Sequence, residues 1–477
     1  MTRSTRPSRR ARAVAALTVL GLVASACGGD DDDGTDDTDA SEPAAGSEAP
    51  PATDPSGGTD APAPTDAPAD TDAPGDTDAP GDTEPSDDTG DSVTDFLAYT
   101  GGPGGEASGD PIRVGYFNQD GGAIVVSSTH DDGVKYAMEY INTVAGGIGG
   151  RPVELVECYV ANAEEEGQQC GQQFANDDSI VAVISGPTVT GTQAFYAALA
   201  ESKPVIHGVS VNPVDLTQPN AAVLNGGAMY ILAPFATFAQ EHFDELDSVA
   251  LIYSEETQSD AAAGQAAAFE VLGIDIKVQG YPSSTADLTQ PLLAVDAQNA
   301  DLVMPVLAAP ECLKFIEAQR ALEIPDDKVL ASPVCLSGQV LEGLGDWPLW
   351  YYAITSSLGS DTTDPAVPPY QEILADQGLD PSVAADPWTL VGFAQMLTFA
   401  QLANNLGPDG LTPDALLGEL KAFTGPLVLG SPVVNCGAYE EAPGNCGDHT
   451  QFFRYSGGFA FENVSRFVPP PDGWEAP

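Results

Sequence analysis

The stretch 180–193, Ile-Val-Ala-Val-Ile-Ser-Gly-Pro-Thr-Val-Thr-Gly-Thr-Gln, carries two signals in succession. Its first five residues are an unbroken apolar run rich in β-branched side chains, as expected of a strand buried on both faces. The next part places glycines at 186 and 191 and threonines at 188, 190 and 192. It leads into a helical stretch over 192–201. A strand that passes through a glycine-bearing loop into a helix is half of a βα unit, and the fold follows from whether that unit repeats.

It repeats on both sides. Upstream, 112–117 reads as a strand, and Val134, Ala137, Met138 and Ile141 share one face of a helix over 133–142. A strand at 153–158 and a helix at 163–176 follow. Downstream, 205–209 is a strand. The cycle restarts with strands at 249–253, 274–278 and 302–304, alternating with helices at 261–272, 288–297 and 312–322. Later helices are predicted at 388–405 and 413–423. Residues 451–455 and 459–464 read as a closing hairpin about Ser456-Gly457-Gly458. Two successive runs of βα units predict an α/β protein with two Rossmann-like lobes, each a parallel sheet covered by helices on both faces.

Charge excludes some functions. The 477 residues carry a formal net charge of −55. From Gly28 to Asp110 there are 24 acidic residues and no Lys or Arg; the remainder of the chain from residue 111 is still near −36. Such a field repels phosphate backbones and anionic lipid heads, so no nucleic acid is expected as a partner.

The N-terminal region divides into zones. Arg3, Arg6, Arg9, Arg10 and Arg12 precede 14 uncharged residues at 13–26. That run is too short to span a bilayer, which needs about 20 apolar residues. It fits the apolar part of a signal peptide over 1–26. Ala24-Ser25-Ala26-Cys27 resembles a bacterial lipobox, which makes Cys27 the expected lipidation site. After it, Thr-Asp-Ala-Pro recurs with a period of six at 59–62, 65–68, 71–74 and 77–80. With so little apolar surface, 27–110 is expected to be a disordered acidic tether. The six other cysteines suit an exported chain. Fifteen pairings are open; sequence proximity favours Cys158 with Cys170, Cys312 with Cys335, and Cys436 with Cys446.

Catalytic and metal signatures are weak. The chain has no GxSxG, HExxH or Walker-type loop. The glycines at 146–150 follow a helix and precede a strand, the reverse of a dinucleotide-binding turn. His207 could be drawn as a base for Ser210, but a lone histidine at a strand end is commonly structural or ligand-touching. Glu164-Glu165-Glu166 reads as the acidic first turn of a helix. No CxxC occurs, and His130, His207, His242 and His449 are scattered, so no metal or cofactor is expected. The best candidate is the loop after the buried strand. It lies where open α/β sheets bind ligands, and its threonines and freed backbone amides at a helix start suit a carboxylate or other acceptor.

These features in order resemble the type 1 periplasmic-binding-protein family of the branched-chain amino-acid kind. The pieces are the first strand, Gly133…Ala137…Ile141-Asn142, Gly146-Gly147-Ile148-Gly149-Gly150-Arg151-Pro152-Val153, Val183-Ile184-Ser185-Gly186, Lys203-Pro204-Val205-Ile206 and Asn212-Pro213. The resemblance implies two lobes joined by three crossovers, near Pro234, 353–357 and 425–430. Residues 111–233 and 354–424 would form the N-lobe, 234–353 and 425–468 the C-lobe, and 469–477 a tail. It implies a non-enzymatic, monomeric lipoprotein on the outer face of the cell membrane that delivers a small solute to an ABC permease. A ligand sensor or a non-transport surface lipoprotein are the alternatives; a sensor would call for a membrane and kinase segment, which this sequence does not display.

The same resemblance implies ligand contacts at Asn118, Thr188, Val189, Thr190, Thr192, His207, Ser210, Val211, Gln258, Ala308, Ala309 and Val334. Several depart from the amino-acid binders. Val211 stands where those tend to carry a hydroxyl, and Ala308-Ala309 replace tyrosines before Pro310-Glu311. Val334 stands at the carboxylate that pairs with the solute's ammonium, and Glu255-Glu256-Thr257-Gln258 replace a tyrosine-glycine. Burying an ammonium without its counter-charge costs several kcal/mol. The expected solute is therefore amino-acid-like, an amide or an organic acid, bulkier and less charged than leucine. Glu311, at a helix start, is expected to face solvent.

Overall fold

The computed structural model describes residues 92–122 and 129–477. The expected signal segment, Cys27 and the tether up to residue 91 lie outside them. In the first lobe, β1 (Ile112–Gln119), β2 (Val153–Val160), β3 (Ile180–Ser185), β4 (Val205–His207) and β5 (Ala221–Val223) form a parallel sheet in the order β2-β1-β3-β4-β5. β1 is an interior strand, and every residue in it except Arg113 is buried. The strand order reverses between β1 and β3, so the connections leave those two strands in opposite directions. In open α/β sheets such a reversal leaves a crevice at the C-terminal strand ends.

Helices Thr129–Thr143 and Pro387–Leu406 cover one face of this sheet; Glu164–Ala175 and Thr192–Leu199 cover the other. The long helix begins where Asp386 accepts the Thr389 N–H at 2.8 Å, with Pro387 in its first turn, and stops at Gly407. Most of its residues are buried because it lies between the sheet and the outer helices. It crosses helix Thr129–Thr143 at two glycines. A Cβ on Gly133 would lie 2.0 Å from the Thr389 carbonyl oxygen, and one on Gly392 2.5 Å from that of His130. Residues without side chains let the two backbones approach.

The second lobe contains β6 (Ser248–Ser254), β7 (Asp275–Tyr281), β8 (Leu302–Val306), β9 (Leu330–Ala331), β10 (Tyr351–Ile354), β11 (Thr450–Gly457) and β12 (Ala460–Val468). They pair as β7-β6-β8 and β12-β11-β10-β9, and a parallel bridge from Val303 to Val329 joins the two groups. β6 to β10 run parallel and the expected hairpin, β11–β12, closes the edge antiparallel. The disulfides Cys158–Cys170, Cys312–Cys335 and Cys436–Cys446 are formed.

The structure moves four of the expected boundaries. Residues 92–110 are not tether: helix Phe96–Thr100 buries Phe96 and Tyr99 in the first lobe's core, where Phe96 meets Phe393. Residues 425–449 belong with the first lobe. Leu427, Val428, Leu429, Val434, Cys436 and Cys446 join its core, and the Val223 N–H donates to the Gly444 carbonyl at 2.7 Å. The disulfide loop thus covers the open edge of β5, and the Lys421 ammonium ties the two by donating to the carbonyls of Ala221 and Pro443. The third crossover therefore lies at 447–450, and the second at 355–358; the first lies at 224–227 rather than near Pro234, because Leu224 packs in the first lobe's core and Leu232 and Ala233 in the second's. Asn445 binds this hinge. Its Oδ1 accepts from Gly227 N at 3.0 Å and its Nδ2 donates to Gly447 O at 3.0 Å. Finally, the tail is tied down. Trp474 donates from Nε1 to Gly264 O at 3.0 Å and stands edge-on to Tyr230.

Candidate functional site

All strands of the first sheet and β6 to β10 of the second run parallel within their sheets. The two crossovers that leave a strand C-terminus, after β5 and β10, lead to the hinge. The C-terminal ends of β5 and β10 therefore lie next to the hinge. The expected contact residues fall at or just beyond C-terminal strand ends. Asn118 lies on β1, the 188–192 loop follows β3, His207 ends β4, and Ser210 and Val211 follow it. Gln258 follows β6, Ala308 and Ala309 follow β8, and Val334 follows β9. Val189 and Val211 are exposed at 43 % and 37 %, whereas Thr188, Thr192, His207 and Ser210 are buried. Gln258, Ala308, Ala309 and Val334 are half-buried. The interlobe hydrogen bonds among the described residues cluster at the hinge, from Gln451 Nε2 to Ser356 O at 2.6 Å and from Asn463 Nδ2 to Asp361 Oδ2 at 3.1 Å.

The loop after β3 is held from within the chain. Gln119 Oε1 accepts the backbone N–H of Val189 at 2.9 Å and of Thr190 at 3.2 Å. Glu164 Oε1 accepts that of Gly191 at 2.9 Å. The hydroxyls of Thr188 and Thr192 bond each other at 2.9 Å, and Thr192 also donates to the Thr188 carbonyl at 3.3 Å. The acidic triplet is the helix start expected of it, with added roles. Glu166 Oε2 accepts the N–H groups of Ala161, Asn162 and Ala163, which holds its carboxyl below the ordinary carboxylate range.

Two buried polar rows lie behind the crevice. In one, Tyr196 Oη is 2.9 Å from His207 Nε2, with Asp215 3.4 Å from the same nitrogen, and Ser210 donates to Asp215 Oδ2 at 2.5 Å. Ser210 is thus engaged with Asp215, not with His207. Burial lowers the His207 pKa and raises that of Tyr196. In the other row, Gln395 donates from Nε2 to the carbonyls of Ser185 and Ile206, which turns Oε1 toward His130 Nε2 at 2.8 Å. Tyr116 Oη lies 2.9 Å from His130 Nδ1 and donates to Asp131 Oδ1 at 2.6 Å, the oxygen that also accepts from Asn118 Nδ2 at 2.7 Å. Burial draws the His130 pKa down to about 4 and raises that of Tyr116. These rows fix the ends of β1, β3 and β4 relative to one another.

On the second lobe, Glu311 is 2 % exposed, not solvent-facing. Its Oε2 accepts the Ala308 N–H at 2.9 Å and the Tyr281 hydroxyl at 3.2 Å. The carboxylate folds back to cap the N-terminus of the 309–311 turn that it ends, which is why a position just before the 312–321 helix is buried here. Gln119, Asp131, Glu164, Tyr196, Asp215, Tyr281 and Gln395 were not among the expected site residues. Only Gln119 had a sequence signal, its place beside Asn118 at the end of a buried strand. Among the described residues, no cluster of three or more His, Cys, Asp or Glu side chains could hold a metal ion, and no helix is long and apolar enough to cross a membrane.

Two α/β lobes joined at a hinge are the architecture of a solute-binding protein. The Periplasmic binding protein family model matches residues 111–437, and the chain belongs to that family. No curated protein matches its sequence. Three solved structures share the fold at low identity. An ABC transporter substrate-binding protein from Sphaerobacter thermophilus has a TM-score of 0.61 at 19 % identity over 77 % of this chain and 99 % of its own. The branched-chain amino acid transporter substrate-binding protein LivJ from Streptococcus pneumoniae, in complex with isoleucine, has a TM-score of 0.58 at 16 % identity, covering 76 % and 100 %. A solute-binding protein of an ABC transporter from Rhodopseudomonas palustris, in complex with p-hydroxybenzoic acid, has a TM-score of 0.59 at 14 % identity, covering 76 % and 99 %. The type 1 periplasmic-binding-protein fold that the resemblance implied is the one observed.

Proposed function

We propose that this protein captures a small solute between its lobes outside the cytoplasm and hands it to a membrane ABC permease, without altering it chemically. The observation that carries this reading is the pair of α/β sheet systems, parallel through β1–β5 and β6–β10, with the expected contact residues at or just beyond their C-terminal strand ends. The kinship with substrate-binding proteins supports the same reading. The N-lobe set, Asn118, Thr188 to Thr192, His207, Ser210 and Val211, receives the solute; the C-lobe set, Gln258, Ala308, Ala309 and Val334, then closes over it. Closure is driven only by the solute's extra affinity for the closed state. Cys27 takes the lipid, and the acidic segment after it lets a monomer sample solute away from the membrane face.

A thermal-shift screen against amino acids, amides, short-chain acids and aromatic acids tests capture. A ligand at 100 times its Kd adds about 2.7 kcal/mol of stability. The absence of any saturable ligand across a broad metabolite collection would leave the capture reading without support.

A further inference from the structure

The loop amides that would receive a carboxylate are already bonded inside the chain. Those of Val189 and Thr190 point to Gln119 Oε1 and that of Gly191 to the Glu164 carboxylate. Gln119 is 1 % exposed, so its amide is part of the packed lobe. An incoming carboxylate would have to displace it and approach the charge of Glu164 one hydrogen bond away. The wall at this point is apolar: Val189 and Val211 are exposed, and Asn212 Nδ2 reaches the Val189 carbonyl at 3.5 Å, which brings the two loops together.

The opposite lobe holds an acceptor. Glu311 spends Oε2 on both the Ala308 N–H and the Tyr281 hydroxyl, while Oε1 has no partner among the described residues although the side chain is almost wholly buried. A buried carboxylate oxygen without a donor is costly, and a donor brought by a ligand relieves it. Glu311 stands at the C-terminal end of β8, beside Ala308 and Ala309. The side chains there, Ala308 and Ala309, are small and half-buried.

Resting on the capture reading above, we infer that the solute is a carboxylate-free molecule with a branched aliphatic body and an N–H donor, an amine or a primary amide. Its donor meets Glu311 Oε1 and its body packs on Val189 and Val211. Leucine-type zwitterions are disfavoured at the first lobe's wall. The first lobe has used the amides a carboxylate needs.

A matched series on one carbon skeleton tests this by calorimetry on the full chain. The probes are 3-methylbutylamine, 4-methylpentanamide, leucinamide, leucine and 4-methylpentanoate. The expected result is saturable binding of at least one of the first three, at least tenfold tighter than leucine or 4-methylpentanoate. Glu311→Gln should weaken the amine probe by tenfold or more, with the amide probe less affected; this variant keeps an acceptor for the Ala308 N–H, and circular dichroism checks its fold. Leucine or 4-methylpentanoate binding as tightly as the amine and amides overturns the inference and leaves capture intact. A silent series also overturns it, and capture is then judged by the wider screen. An amine that binds Glu311→Gln as tightly as the native chain removes Glu311 from the donor's site.

Discussion

His130 offers the sharpest test of the buried network behind the crevice. Its side chain is fully buried among Tyr116, Asp131 and Gln395, with His207 close enough to matter, and desolvation pulls its pKa from 6.5 to about 4. The sign follows from proton counting. Above pH 6.5 the imidazole is neutral in both folded and unfolded chains and contributes no pH dependence. Between pH 6.5 and 4 the unfolded chain takes up a proton that the folded chain refuses, so stability falls as the pH falls. At pH 5 the gap is about 1.5 pKa units, or about 2 kcal/mol at 1.36 kcal/mol per unit. Urea unfolding at pH 7 and pH 5 measures it, with the native chain compared with His130→Gln so that the carboxylates and His207 largely cancel. The native chain should lose about 2 kcal/mol more than the variant over this interval. Equal losses in the two proteins, within about 0.5 kcal/mol, would refute the claim that His130 is held neutral by burial.

The helix crossing in the first lobe predicts a large effect from one methyl group. Gly133→Ala places a Cβ 2.0 Å from the Thr389 carbonyl oxygen, which belongs to backbone and cannot swing away. The expected destabilisation is about 3 kcal/mol, read as a fall in Tm, and a variant with unchanged Tm would mean that the two helices slide apart freely. At the other end of the chain, Cys27→Ala should abolish incorporation of a labelled fatty acid and release the protein into the medium. Label retained in the variant would rule out Cys27 as the anchor.

Local pattern was enough to read most of the two βα runs. A buried parallel strand is an unbroken apolar run and a covering helix repeats every 3.6 residues, so both are written in a few adjacent residues. The 180–193 stretch placed β3, its loop and the helix start within a residue or two of where they lie. The six folded-domain cysteines were similarly readable, because each bridges to a neighbour no more than 23 residues away. The short elements were not: β9, β10 and the 213–217 and 228–232 helices have too few residues to show a period. The location of the candidate groove came from strand order, but its chemistry did not.

What the sequence alone determined, then, is the class of fold and the strand ends at which a ligand could sit, since both follow from residues adjacent along the chain. What only the tertiary structure decided is which polar groups are already spent. Gln119 lies 70 residues from the amide of Val189, and His130 lies 265 from Gln395. A hydrogen bond between such segments leaves no trace in the spacing of either one. The lobe boundaries failed to show for the same reason. Residues 425–449 follow the first lobe because the free edge of β5 needs a partner, and Glu311 turns inward because Ala308 and Tyr281 offer donors there. These are demands made by neighbours in space, and they exist only once the chain has folded.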